Sequence, residues 1–263
     1  MSVGSAGDLD GLCEAGAAAA RVLGVMLKAV QPGITPVELN DIGAVEMRGL
    51  GARSAPMVSV GFPAETCISV NEAIAHGIPA ERPLADGDLV NIDVSLELGG
   101  YFADTGSSTP VGRGHAALDR LCATGRRALD RALGEVRPGA LLNRIGWAAE
   151  ETARANGYEI VRDLCGHGVG RSLHEEPREI PGYYDPADRR CLQEGSVLAI
   201  EPFVSTGARH VHALLDGWTL VTDDGGLAVQ FEHTVVVTAG GALVVTAEQP
   251  FLVPAGGAEL SSA

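Results

Sequence analysis

Apolar residues recur at helical spacing from Leu9 to Ala29, and this pattern predicts a helix with one buried face. A turn at Gln31-Pro32-Gly33 follows. Thr35, Pro36 and Glu38 then form a capping-box signature with proline at the first helical position, which opens a second helix ending near residues 49–51. Short apolar runs at Met57–Gly61 and Thr66–Val70 read as strands. Gly87–Leu98 and Tyr101–Thr109 read as a hairpin around Gly99-Gly100. Helices resume at His115–Val136 and Leu141–Asn156, the second closed by Gly157. The Gly- and Pro-rich stretch 163–192 reads mostly as loop, and strands return at Val197–Val204, Leu227–Thr238 and Leu243–Thr246.

This order of elements repeats. Val30-Gln31-Pro32-Gly33 lies between two helices, and Val136-Arg137-Pro138-Gly139 does the same 106 residues later. Asp86–Asp93 (DGDLVNID) resembles Glu194–Glu201 (EGSVLAIE) at an offset of 108. One αα-plus-sheet unit used twice explains both offsets and gives an α+β domain with pseudo-twofold symmetry. Chance similarity of short strings is the alternative. The repeat superimposes Asp93 on Glu201, so each half offers a carboxylate from a strand.

Composition narrows the function classes. Hydrophobic residues are 46% and charged residues 20% of the 263-residue chain, an ordinary globular balance. A formal net charge of −15 argues against nucleic-acid binding and against anionic membrane surfaces. Cys13, Cys67, Cys122, Cys165 and Cys191 are odd in number and widely spaced, which fits a reducing cytoplasm rather than a disulfide framework. No basic residue precedes Arg21, so no signal peptide is expected. Arg21 and Lys28 interrupt the apolar run 15–30, so it is not expected to span a membrane.

The acids are placed unusually. On the expected hairpin Asn91, Asp93 and Ser95 share one face, and Asp104 lies opposite or diagonal to Asp93. Two carboxylates that close repel unless something positive lies between them, although solvated strand acids are the plainer reading. Glu201 in Val-Leu-Ala-Ile-Glu-Pro and Glu232 in Val-Gln-Phe-Glu-His-Thr sit in apolar strands that contain no Lys or Arg. They call for cations or for a salt bridge from elsewhere. His167, in Cys165-Gly166-His167-Gly168-Val169-Gly170, adds an imidazole on a loop that permits close approach. Four carboxylates and one imidazole suit ions such as Mn, Fe, Co or Zn, and two ions explain the carboxylate excess better than one. His76 and His174 could each donate to a substrate or an oxyanion, or be ordinary surface or core histidines.

Asn71–Pro79 (NEAIAHGIP), Asn91–Asp93 (NID), Ala103–Gly106 (ADTG), Gly166–Gly170 (GHGVG), His174–Pro177 (HEEP), Ile200–Pro202 (IEP) and Phe231–Thr234 (FEHT) resemble, in order and spacing, the type I methionine aminopeptidases. The resemblance covers about residues 10–247. It implies the pita-bread (creatinase/aminopeptidase-like) fold, two αα-plus-antiparallel-sheet halves with metals between them. It implies removal of N-terminal methionine from peptides and nascent chains by metal-activated water. Two divalent ions (Co, Mn, Fe or Zn) are implied. Asp93 and Asp104 would hold one, His167 and Glu201 the other, with Asp104 and Glu232 bridging. Glu201 would relay the water proton, His174 would stabilise the oxyanion, and His76 would contact the scissile nitrogen. Cys67, Phe62 and Trp218 match positions that line the methionine pocket. Ser59 and Leu173 stand where relatives often carry aromatics, and Ala75 where many carry Cys, so the pocket departs from the pattern more than the metal ligands do. The resemblance also implies a cytoplasmic monomer working near the ribosome, although the charge of −15 does not itself favour docking on RNA.

One catalytic domain over residues 1–250 and a tail at 251–263, its small polar end after Pro254 fraying, is the expected organisation. Two other readings compete. Proline-directed or creatinase-like relatives usually carry an extra N-terminal domain, for which the chain is too short. Non-catalytic binding proteins on the same fold lose metal ligands, whereas all five positions here are intact.

Overall fold

The computed structural model describes residues 1–113 and 115–256. The end of the expected fraying tail, 257–263, lies outside the described residues. The first half runs α1 (Ala6–Ala29), α2 (Pro36–Gly49), β1 (Arg53–Ser54), α3 (Ala55–Val60), β2 (Cys67–Val70), β3 (Ala73–Ala75), β4 (Leu89–Leu98) and β5 (Tyr101–Pro110). The second opens with α4 (Ala116–Leu133) and α5 (Asn143–Ala155), then β6 (Glu159–Ile160), β7 (Cys165–Gly168), β8 (Glu175–Pro181), β9 (Val197–Ile200) and β10 (Phe203–Ser205). It closes with β11 (Val211–Ala213), β12 (Leu220–Thr222), β13 (Ala228–Gln230), β14 (His233–Thr238), β15 (Gly241–Val244) and β16 (Phe251–Pro254).

Each half builds its own core. Ala15, Ala19, Val22 and Met26 of α1 and Leu39 and Met47 of α2 pack on Ile68, Val90, Ile92, Val94 and Leu96. Leu121, Leu129 and Leu133 of α4 and Ile145 and Ala149 of α5 pack on Leu198, Ile200, Val229, Phe231 and Val235. A fully buried side chain of this kind contributes roughly 1.5–3 kcal/mol, so either core outweighs the local propensities within it. Those propensities still set the boundaries. Thr35 Oγ1 accepts from Glu38 N at 3.1 Å, and Glu38 Oε2 accepts from Thr35 N at 2.8 Å, completing the expected capping box.

β1, β4 and β2 form one antiparallel sheet with β5 added to β4. β16-β15-β14-β9-β7-β8 form a six-stranded sheet, and β13-β10-β6 and β11-β12-β3 are smaller sheets. The halves meet where β5 faces residues 230–234. Glu232 N donates to Gly106 O at 3.0 Å, Thr105 Oγ1 donates to Glu232 O at 2.9 Å, and Thr234 Oγ1 donates to Asp104 O at 2.8 Å.

Several sequence expectations are corrected. Met57–Gly61 is not a strand, because Ser54 caps a helix there, accepting from Met57 N at 3.3 Å, and Gly61 ends it at φ 75°. The segment 163–192 is mostly loop, as expected, but it also carries the strands β7 and β8. A Cβ on Gly166 would lie 2.3 Å from Ala199 O and one on Gly168 2.4 Å from Glu176 O, so these glycines mark strands pressed against β9 and β8. Val197–Val204 is interrupted at Glu201-Pro202, and Leu227–Thr238 at Phe231-Glu232. The last expected strand lies at Gly241–Val244. Phe251–Pro254, assigned to the tail, pairs with β15 as an edge strand.

Gly16 of α1 lets that helix touch the second half. A Cβ there would lie 2.2 Å from Val245 O, a backbone atom that cannot swing away. Gly16→Ala is therefore expected to lower stability by about 1–3 kcal/mol despite its better helix propensity. Urea unfolding measures this, and an unchanged or raised midpoint would contradict the close approach.

Candidate metal centre

The expected hairpin forms, and its register decides how the acids meet. Asp93 pairs with Gly106 and Ser95 with Asp104, so the two aspartates are diagonal neighbours on one face. Ser95 Oγ donates to Asp104 Oδ1 at 2.7 Å. On the other half Glu201 follows β9 directly, and Glu232 precedes β14, whose His233 pairs with Ile200. Pro202 carries no N–H and ends the ladder at that point. The two glutamates thus sit side by side where the strands part.

Asp104, Glu201 and Glu232 converge on His167 of β7, with Asp93 beside Asp104. His167 Nε2 lies 3.7 Å from Asp104 Oδ2 and 3.7 Å from Glu201 Oε1. One ligand atom from each of the buried residues Asp104, His167 and Glu232 lies within 4.8 Å of the others, close enough to share a metal ion. Asp93 Oδ1 and Glu232 Oε1 are buried without a hydrogen-bond partner. Orphaned buried carboxylate oxygens are costly unless a cation satisfies them. The donor set, hard oxygens with one imidazole, therefore fits a divalent metal.

Burial and mutual repulsion have a marked electrostatic effect. Burial pushes the Asp93, Glu201 and Glu232 carboxyls well above the usual range, and the neighbouring Asp104 pushes each further. Burial also lowers the His76 and His174 imidazoles, with His167 adding to the effect at both. Both rings are therefore neutral near pH 7 and can donate an N–H without carrying charge.

Asp93, Asp104, His167 and Glu201 floor a cavity of about 410 Å³ whose wall includes Pro56, Val60, Phe62, Cys67, His76, Leu173, His174, Phe203 and Trp218. One end is apolar. Phe62 and Trp218 meet edge-to-face at 5.3 Å, and Cys67 packs with Phe62 and Ala64. The His174 ring lies tilted at 52° to that of His167, with centroids 4.3 Å apart. His76 has φ 52°, a left-handed conformation uncommon outside glycine that aims functional side chains in many sites. Ser59 is exposed on α3, whereas Leu173 is buried in the wall. Nine of the ten expected site residues line this cavity, and the tenth, Glu232, is buried beside Asp104 and His167.

Others were not anticipated. Asp163, Leu164, Cys165, Arg178 and Glu179 also line the cavity. Gln230 touches two of the acids: its Nε2 donates to Glu232 Oε2 at 2.9 Å and to Glu201 Oε2 at 3.3 Å. Its signal was a polar residue two positions before Glu232 in an otherwise apolar strand.

Comparison with known proteins gives this geometry a lineage. Residues 10–239 match the description "Metallopeptidase family M24". The chain belongs to metallopeptidase family M24. A methionine aminopeptidase of Staphylococcus epidermidis is 45% identical over 231 residues, covering 88% of this chain and 92% of its own. Methionine aminopeptidase 2 of Bacillus subtilis is 42% identical, with 88% and 93% covered. The crystal structure of methionine aminopeptidase from Rickettsia prowazekii superimposes with a TM-score of 0.89 at 36% identity, covering 94% of this chain and all of that one. The M24 chain thus has the expected pita-bread fold and is a hydrolase by family. Among the described residues no helix is long and apolar enough to cross a membrane.

The raised carboxyls carry a sign. Protons and cations compete for the same oxygens, and the raised groups hold their protons to higher pH than ordinary carboxyls. Mn²⁺ affinity of the metal-stripped protein should keep rising with pH above about 5, where ordinary carboxylates are already ionised. Calorimetric titration at several pH values measures this, and a flat affinity across that range would show the acids to be ionised without a cation.

Proposed function

We propose that the chain is a methionine aminopeptidase that removes N-terminal methionine from peptides and new proteins with two divalent ions, Co, Mn, Fe or Zn. The observation that carries this reading is the cavity itself: Asp93, Asp104, Glu201 and His167 line it beside an apolar end of Phe62, Cys67 and Trp218, with Glu232 buried next to Asp104 and His167. The names of the 42–45% identical relatives support the same activity. In this reading Asp93 and Asp104 hold one ion and His167 and Glu201 the other, with Asp104 and Glu232 shared between them. Divalent ions there supply Lewis acidity toward the scissile carbonyl and a nucleophilic water at neutral pH.

The protein's own residues do the rest. Phe62, Cys67 and Trp218 enclose the methionine side chain, and burial of its thioether and methylenes orients the substrate. The free α-amine of the substrate would bind to an ion held there, which would restrict cleavage to the first peptide bond. Glu201 takes the water proton and passes it to the leaving nitrogen. His174 donates an N–H to the oxyanion, and His76 contacts the scissile amide nitrogen. The cysteines are all free, which supports action in a reducing cytoplasm.

The deciding assay is release of free methionine from Met-Ala-Ser by metal-stripped protein with Co, Mn, Fe or Zn restored one at a time. Metal-dependent release is expected, and Asp104→Ala should abolish it in a protein that remains folded. Cleavage of Xaa-Pro peptides without methionine release would move the chain to a prolidase-like specificity. His174→Ala should lower kcat by ~10²–10³-fold, the usual loss for one oxyanion donor, with cation binding retained. A wild-type kcat in that variant would remove His174 from the reaction.

A further inference from the structure

Gln230 ends β13 and is 1% exposed, yet no cation accompanies this polar side chain into the core. Its orientation is fixed by two links that begin at a backbone atom. Asn91 Nδ2 faces Gln230 O at 3.3 Å, and a backbone carbonyl can only accept, so that end of Asn91 is the NH₂. The same NH₂ donates to Gln230 Oε1 at 2.9 Å, so that end of Gln230 is its carbonyl. The Gln230 NH₂ must therefore face the acids, where it donates to Glu232 Oε2 at 2.9 Å and Glu201 Oε2 at 3.3 Å. Space is reserved for this amide, because a Cβ on Gly106 would lie 2.2 Å from Gln230 Oε1.

We propose that Gln230, locked by Asn91, is a positioning residue that decides which oxygen of Glu201 and of Glu232 is offered to metal. One NH₂ engages the Oε2 of each glutamate. That leaves Glu232 Oε1 without a partner and Glu201 Oε1 facing His167 Nε2. A neutral amide does this without introducing a positive charge that would compete with the ion. An outer partner of this kind also holds the ligands in place before the ion arrives. The inference rests on reading the site as a metal centre.

The test is Mn²⁺ binding to metal-stripped protein, followed by electron paramagnetic resonance of the free ion, with thermal unfolding of the metal-free protein alongside. Gln230→Met keeps the length and removes the NH₂. It should weaken Mn²⁺ binding by ~10–100-fold, the usual loss for an outer-shell partner. Asn91→Asp touches none of the four acids but replaces the NH₂ that locks the amide. It should turn the Gln230 carbonyl toward the glutamates and weaken binding by a similar factor, and it decides the matter if Gln230→Met does not fold. Unchanged Mn²⁺ affinity in a folded variant, whatever its melting temperature, would reduce Gln230 to a packing role and overturn the proposal. Parent protein that binds no Mn²⁺ would instead overturn the metal-centre reading, and this one with it.

Discussion

Repulsion among four carboxylates is the constraint around which this molecule is arranged. Asp93, Asp104 and Glu201 line one cavity with Glu232 buried beside them, and among the described residues no Lys or Arg is paired with any of the four. Isolated charges so placed would each lose several kcal/mol of hydration without compensation. Protons relieve part of this in the metal-free protein, which is why three of the carboxyls titrate high. A divalent ion relieves it better, because one centre of charge satisfies several oxygens at once. Two acids come from the β4–β5 hairpin and two from the strands of the second half, so the ion also ties the halves together.

The scaffold meets this constraint by breaking strands where it needs ligands. A continuous β9–β10 strand would pair every backbone group and send Glu201 wherever the pleat dictated. Pro202 ends that ladder, and the interruption at Phe231-Glu232 does the same beside it. The freed backbone is used between the halves: Glu232 offers its carbonyl to Thr105 Oγ1 and its N–H to Gly106 O. The same hydrogen bonds that join the halves therefore place the acids. Packing, interface and site are one arrangement rather than three.

Much of this was legible in the sequence, for identifiable reasons. α1, α2 and the hairpin announce themselves through local signals: helical periodicity, a capping box and the Gly99-Gly100 turn. Acids in apolar strands signal through their cost. The failures have the opposite origin. In α3 the valines favour a strand locally, and the Ser54 cap with Pro56 overrides them. The glycines of 163–192 look like loop until Ala199 O and Glu176 O are seen against them. Sheet order and the Asn91–Gln230 contact join residues 139 apart, and no local pattern carries such information.

The oxygens themselves show how a neutral frame can select a charged guest. Asp104 Oδ1 accepts from Ser95, and Glu201 Oε2 and Glu232 Oε2 accept from Gln230. What remains is Asp104 Oδ2 and Glu201 Oε1, each 3.7 Å from His167 Nε2, together with the partnerless Asp93 Oδ1 and Glu232 Oε1. Each acid thus leaves an oxygen unclaimed by a hydroxyl or amide, and those of Asp104 and Glu201 flank one imidazole. Had an arginine supplied the fixing hydrogen bonds, its fork would have neutralised the acids and left little for an ion to gain. Hydroxyl and amide donors fix geometry while leaving the negative charge in place, and that residual charge is what a divalent ion would satisfy.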